Sequence, residues 1–262
     1  MKIKKISGEE DFPKEIFSLL FSIESKHFWF DGRNNVISAF IKNIISNRKD
    51  LSFIDIGCGT GYVLPCLEKL GFSVTGLDMY EEGLRFARER SKSPLIRADF
   101  NSVNLKKQYD AVGVFDVLEH IDDEIAFLKN CKKILKKNGW MFLTVPAFMS
   151  LWSKHDVVAG HKRRYAKKSL VKLFSQNGFN IQKIEYFGFF HFFPLLLFKK
   201  YQNQHLERIK NDPIEITKYT MKIPPYPINK LLQYLFVFEN RLMNFFSFPF
   251  GSSIILSAKK KD

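Results

Sequence analysis

A chain of 262 residues, 45% hydrophobic and 26% charged, carries enough apolar side chain to build one enlarged domain with a true core, which excludes disordered, collagen-like and low-complexity classes. Its +14 net charge is uneven, with 22 Lys/Arg against 20 Asp/Glu in residues 1–150 and 19 against 7 in residues 151–262. Such a basic C-terminal part, which also holds 12 of the 28 phenylalanines between Phe187 and Phe250, points either to an anionic partner or to a solvated face.

The opening MKIKKISGEEDF has no apolar stretch, so it is not expected to be a secretion signal. No run of about 18 uncharged apolar residues follows it, so no ordinary transmembrane helix is expected either. Cys58, Cys66 and Cys131 have neither an even count nor ligand spacing, which predicts a reducing cytoplasm and no structural zinc.

Along the chain, a helical pattern at 34–46 leads to the short apolar run 51–56, which ends in an acid and is followed at once by GCGTG. A helix over Tyr62–Leu70, a strand at 72–78 and a helix over 81–91 come next. Strands are predicted at 94–100, 109–117 and 140–146. Between the last two, Ile125, Leu128, Cys131, Ile134 and Leu135 line one face of a helix over 123–137 that Asn138-Gly139 would cap. A helix at 166–177, a strand at 180–187 and a final strand at 252–260 complete an alternation that implies right-handed crossovers and a doubly wound α/β sheet. Residues 188–251 are too many for a loop, and apolar helical patterns at 190–206 and 228–246 mark them as an insertion.

The turn Asp55-Ile56-Gly57-Cys58-Gly59-Thr60-Gly61 lies where a strand becomes a helix, and its glycines let backbone approach a ligand closely. Tyr62 stands where the dinucleotide fingerprint needs its third glycine, so a small zwitterion fits better than a pyrophosphate. Asp78 ends the second strand, where a carboxylate can accept hydrogen bonds from two ribose hydroxyls. Asp99-Phe100 ends the third and offers a carboxylate for an exocyclic amine and a ring for a base. Ligands of such sheets bind along this carboxyl edge.

FIDIGCGTGYV, GLDMY, ADF and FDVLEHIDD together resemble the ordered motifs of class I S-adenosylmethionine-dependent methyltransferases, over about residues 25–187 plus 252–260. The resemblance implies a seven-stranded Rossmann-like sheet, its last strand antiparallel beside the sixth, with an N-terminal helical arm and a helical insertion before that last strand. It divides the chain into an arm (1–33), a cofactor-binding core (34–187), an acceptor-binding or membrane-surface insertion (188–251) and a closing strand with a basic tail (252–262). S-adenosylmethionine, with S-adenosylhomocysteine as product, is the implied cofactor. Asp55, Gly57, Cys58, Gly59 and Gly61 would surround its methionine portion. Asp78 and Met79 would lie at the ribose, Asp99 and Phe100 at the adenine, and Phe115 with Asp116 on the pocket floor. In similar enzymes an aromatic arm folds over the cofactor, which would bring Trp29 to it and pair Arg33 with its carboxylate. The alternative is that Phe28, Trp29 and Phe30 staple the first helix.

An acceptor hydroxyl must lose its proton, so a general base is expected. His155, with Asp156 to hold its tautomer, is one candidate and His120, after Glu119, is the other. No metal is expected, because the pair formed by His155-Asp156 and the later His161 lacks a further acid cluster nearby. The segment VPAFMSLWSKHDVVAGHKRRY resembles bacterial methyltransferases of cell-surface glycan biosynthesis, relatives of the quinone-pathway O-methyltransferases. That resemblance implies a small-molecule, glycan or lipid-linked acceptor, with His161, Arg163, Arg164 and Tyr165 in its site and Lys162 beside them for phosphates. Nucleic acid is disfavoured, because the fourth strand is followed by neither an acid-Pro-Pro-aromatic sequence nor a nucleophilic cysteine. A scaffold that has lost catalysis remains the alternative class. The insertion's apolar start, Phe187–Phe198 followed by Lys199 and Lys200, suits either a lid or a peripheral contact with an anionic inner membrane surface.

Overall fold

A computed structural model describes residues 13–47, 49–206 and 212–261, with backbone alone for 198–206. The opening MKIKKISGEEDF and the side chains of Lys199 and Lys200 lie outside the described residues. Strands β1 (Ser52–Ile56), β2 (Ser73–Asp78), β3 (Leu95–Arg97), β4 (Tyr109–Phe115), β5 (Leu135–Pro146), β6 (Phe179–Phe187) and β7 (Ser253–Lys260) form one sheet. Their order is β3-β2-β1-β4-β5-β7-β6, parallel from β3 through β5, with β7 antiparallel to both of its neighbours. This is the seven-stranded doubly wound fold that the motifs imply. Strands covered on both faces read as continuous apolar runs, and in β1 and β4 Phe53, Ile54, Val112 and Val114 are fully buried.

The helices are α1 (Lys14–Glu24), α2 (Phe28–Ile44), α3 (Leu64–Lys69), α4 (Glu81–Arg90), α5 (Glu124–Ile134), α6 (Lys154–Val158) and α7 (Lys167–Gln176), followed by α8 (Phe189–Leu206), α9 (Pro213–Thr220) and α10 (Tyr226–Leu242). Several boundaries differ from the sequence reading, and two of the differences have a clear physical cause. α2 starts at Phe28 rather than 34, because His27 accepts the Trp29 backbone N–H (3.2 Å) and so caps a turn built from the aromatic run. α5 stops at Ile134 rather than 137. Leu135 is fully buried and pairs with Tyr109, and the pairing shifts register before Ala111↔Trp140, so Asn138-Gly139 shapes a bulge instead of capping a helix. Asn138 takes a φ of 57°, which asparagine tolerates better than most residues.

α9 went unread in the sequence, although its signal is there. Asp212 accepts the Ile214 N–H (2.8 Å) and Pro213 occupies the first helical position. The insertion is tied to the arm rather than to solvent. Asn229 accepts the Phe28 N–H (3.0 Å) and donates to the Lys26 carbonyl (2.8 Å), and the buried Glu239 accepts the Gly188 N–H (2.5 Å) at the start of α8. Phe236 of α10 lies so close to α2 that a Cβ on Gly32 would come within 2.2 Å of it.

His191 of α8 is sandwiched in this joint, 4.1 Å from the Phe236 ring and 5.3 Å from Phe28. Burial lowers the pKa of His191, and of His27 beneath it, to about 4. The folded state therefore prefers neutral imidazoles, and their contribution is complete above the unfolded pKa of about 6.5 and lost as pH falls toward 4. Each is expected to withdraw up to about 2 kcal/mol of stability between pH 7 and pH 5. In His191→Phe the difference in urea midpoint between those two pH values should shrink by that residue's share. A difference as large as in wild type would show that His191 takes no part in the acid response.

Candidate active site

The glycine turn joins β1 to α3 with φ of 75°, 51° and 74° at Gly57, Gly59 and Gly61. A Cβ at Gly57 would lie 2.5 Å from Val117, and one at Gly61 2.7 Å from Ala87. At Gly59 a Cβ would meet nothing within 4 Å, so this residue's backbone faces open space, as a ligand cradle requires. Asp78, at the end of β2, reaches into the turn. Its carboxylate accepts the Gly59 N–H (2.7 Å) and the Tyr80 N–H (2.9 Å), with a further backbone bond from Met79. Asp55 is buried beneath the turn with Oδ1 unpartnered, and burial raises its pKa to about 7 against the opposing charge of Arg33. α1 covers this turn: Glu24 accepts from Thr60 Oγ1 (2.7 Å) and pairs with Arg90, and Phe17 meets Tyr80 at 5.3 Å.

Several expected ligand-binding side chains have other partners. Arg33, expected on a cofactor carboxylate, pairs with Asp116 (2.5 Å) and donates to the Phe115 carbonyl (3.0 Å). Asp116, at a strained φ of 56°, also accepts from Thr144 Oγ1 (3.1 Å). The Phe100 ring is in the core against Phe127 (5.2 Å), so it offers no free face to a base, whereas Asp99 accepts the Asn101 N–H (2.9 Å) in a half-exposed turn. Trp29 packs between Phe187 (6.2 Å) and Phe236 (5.6 Å), and Phe30 lies edge-on to Tyr62. Cys58 is buried in the turn, which raises its thiol pKa well above the ordinary value, and Met79 is half-buried at the end of β2.

The basic loop after β5 is paired with acids throughout its Lys162-Arg163-Arg164 run. Lys162 pairs with Asp122, Arg163 with Glu124 (2.5 Å) and Arg164 with Asp156 (2.8 Å), so the cluster is neutralised by acids rather than held ready for phosphates. Tyr165 is buried and donates to Glu124 (2.7 Å). Asp156 does not hold His155. It accepts from Arg164, from Ser153 N (2.7 Å) and Oγ (3.0 Å), and from His161 Nδ1 (2.8 Å). This is a capping box, Ser153 to Asp156, which the S-x-x-D spacing itself encodes.

His155 instead meets Thr220 of α9, Nδ1 to Oγ1 at 3.1 Å. The Thr220 hydroxyl donates to the Ile216 carbonyl (2.9 Å), so its oxygen is the acceptor and Nδ1 of His155 carries the proton. Nε2 is then a free lone pair. Burial first, then the charges of His161 and Arg164, lower the His155 pKa to about 4, so the ring is neutral near pH 7. Thr220 could not be found from the sequence, because no motif joins residues 65 positions apart.

His155, Thr220 and Arg164 open on a cavity of about 890 Å³. Asp116, Glu119, His120, His155 and His161 line one wall, and Trp29, Pro194, Leu195, Ile228 and Leu232 face it from the arm and insertion. The cavity is apolar on the insertion side and rich in imidazole on the sheet side. Asp116 belongs to both the cavity and the charge network that reaches Asp55 through Arg33.

A family model described as a methyltransferase domain matches residues 29–184. The chain is 31% identical over 117 residues to a ubiquinone biosynthesis O-methyltransferase of Pelagibacter ubique (strain HTCC1062), a match covering 42% of this chain and 49% of that one. It is 25% identical to the enzyme of the same description from Nitrosomonas europaea, over 45% and 57% of the two chains. The chain thus spans about half the length of the curated relatives it matches. Among solved structures, a magnesium protoporphyrin IX methyltransferase from Synechocystis PCC 6803 with bound S-adenosylmethionine superposes with TM-score 0.52 at 15% identity, covering 88% and 80% of the two chains. A phosphoethanolamine N-methyltransferase of Haemonchus contortus does so with TM-score 0.55 at 17% identity, covering 87% and 53%. Both are likenesses of fold.

Proposed function

Because the chain belongs to the methyltransferase domain family, we propose that it transfers a methyl group from S-adenosylmethionine to a hydroxyl of a small-molecule acceptor with a bulky apolar portion. The observation that carries this reading is the cavity. It brings a neutral histidine with a free Nε2 into one cavity with Asp116, the residue that follows β4 at the carboxyl edge of the sheet, under a mostly apolar roof. The cradle at Gly59 and the orphaned Asp55 Oδ1 fit a cofactor that presents both a charged amino-acid end and hydroxyls. When bound, S-adenosylmethionine supplies an electrophilic methyl on a sulfonium whose departure leaves a neutral thioether. The protein's own part is positional and acid–base. The glycine turn with Asp55 and Asp78 grips the cofactor, and Asp99 reaches toward its base. The cavity excludes water, and His155 Nε2 takes the proton from the acceptor hydroxyl. Cofactor-derived radiolabel incubated with a cell extract should appear in the organic phase after extraction. Label confined to the aqueous phase would exclude an apolar acceptor.

Asp78→Ala is expected to weaken cofactor binding ~30- to 150-fold, corresponding to ~2–3 kcal/mol for a lost pair of charge-assisted hydrogen bonds. Calorimetry with S-adenosylhomocysteine on variant and wild type measures this, and equal dissociation constants would remove Asp78 from the site.

The apolar roof has an outer side. Leu197 (75% exposed), Leu231, Tyr234, Phe238 and Phe245 (83%) project from α8, α10 and the turn after it, near the exposed Lys222, Lys230 and Arg241. Among the described residues no helix is long and apolar enough to cross a membrane. Exposed aliphatic and aromatic groups rimmed by cations suit shallow insertion into an anionic surface, through which a lipid-linked acceptor would reach the cavity. The protein is expected to float with anionic liposomes, and the double variant Leu197→Asp/Phe245→Asp to remain at the bottom of the gradient. Equal flotation of the two would dismiss this surface. With Lys162, Arg163 and Arg164 paired to acids, a sugar diphosphate has fewer free cations to meet than the sequence led us to expect.

A further inference from the structure

Glu119 is the most anomalous side chain in the cavity wall. It is fully buried, and neither carboxylate oxygen has a hydrogen-bond partner. An ionised carboxylate left this way is costly. Native buried acids are normally paired or bound to a cation. Two imidazoles stand next to it. His161 Nε2 is 4.0 Å from Glu119 Oε1, and the His120 ring lies edge-on to His161 with centroids 4.8 Å apart.

We propose that Glu119, His120 and His161 bind a divalent transition-metal ion on the wall of the cavity. One potential ligand atom from each lies within 4.8 Å of the others. Donor atoms about 2.0–2.2 Å from a tetrahedral ion stand roughly 3.3 Å apart, so small side-chain rotations close the set. The outer contacts are also those of metal-bound histidines. Asp156 accepts from His161 Nδ1 (2.8 Å), which fixes the tautomer and turns the Nε2 lone pair toward Glu119, and His120 donates to the Gly160 backbone. Two imidazoles and one carboxylate select zinc, cobalt, iron or manganese over magnesium and calcium, which prefer all-oxygen sets. Three protein ligands lining an open cavity leave coordination positions free on the side where an acceptor would sit, as in catalytic rather than structural sites. The sequence suggested no such site, because Glu119-His120 and His161 lie on different loops and meet only in the fold.

Chelator-treated full-length protein titrated with Zn²⁺ by calorimetry, and with Co²⁺ by visible absorption, tests the proposal without any methyl transfer. One ion per chain is expected, with affinity reduced on the order of 100-fold in the near-isosteric Glu119→Gln and in His161→Asn. X-ray absorption at the zinc edge of the wild-type protein should show imidazole and oxygen scatterers and no sulfur, a readout that does not depend on either variant folding. No uptake by wild type, wild-type affinity in both variants, or sulfur in the zinc shell would each overturn the site.

Discussion

Asp156→Ala is expected to cost the fold about 3–5 kcal/mol, the usual penalty for removing one partner of a buried ion pair. The carboxylate has no exposed surface and receives five hydrogen bonds, two of them from the fork of Arg164. Burial alone would raise its pKa, yet the bonds from His161 and Arg164 and the Arg164 charge hold it well below the ordinary carboxylate range. Without it, an Arg164 side chain only 13% exposed keeps its charge but loses its counterion, and the start of α6 loses its capping box. Chemical denaturation monitored by circular dichroism gives the number. A loss below about 1 kcal/mol would show that solvent or another acid compensates Arg164.

His155→Ala should leave cofactor affinity unchanged and lower kcat by roughly 10²- to 10⁴-fold, because the proton acceptor acts on the acceptor molecule alone. Single-turnover rates with saturating cofactor separate this from binding. Unchanged rates from pH 6 to 9 would show that His155 is not the proton acceptor.

The sheet was legible in the sequence because its signals are local. Each strand of the first half is a short apolar run that ends in an acid or a turn, and each intervening helix carries its own period. The glycine turn and Asp78 were readable for the same reason, since fixed spacing after a strand determines where they stand. In the loop after β5, sequence shows Lys162, Arg163 and Arg164 side by side and hides their pairing with Asp122, Glu124 and Asp156. The partner of His155 was assigned to its neighbour Asp156, but a helix sends adjacent side chains about 100° apart, so the contact came from Thr220 on another element. Glu119 entered the sequence reading only as the neighbour of His120. Its isolation depends on packing from the fold as a whole, which no window of sequence contains.

The Asn229 clamp on the first turn of α2 links positions 201 residues apart. During synthesis at about 5–20 residues per second, Phe28 leaves the ribosome roughly 10–40 s before its partner exists. For that interval the aromatic run Phe28-Trp29-Phe30 has neither Asn229 nor Phe236 to cover it, while β1 through β5 can already pair with one another. The nascent chain is therefore expected to carry a nearly complete sheet and an unfinished, exposed N-terminal arm. That arm is a surface for holdase chaperones, and the first place where truncation near the C-terminus would be felt.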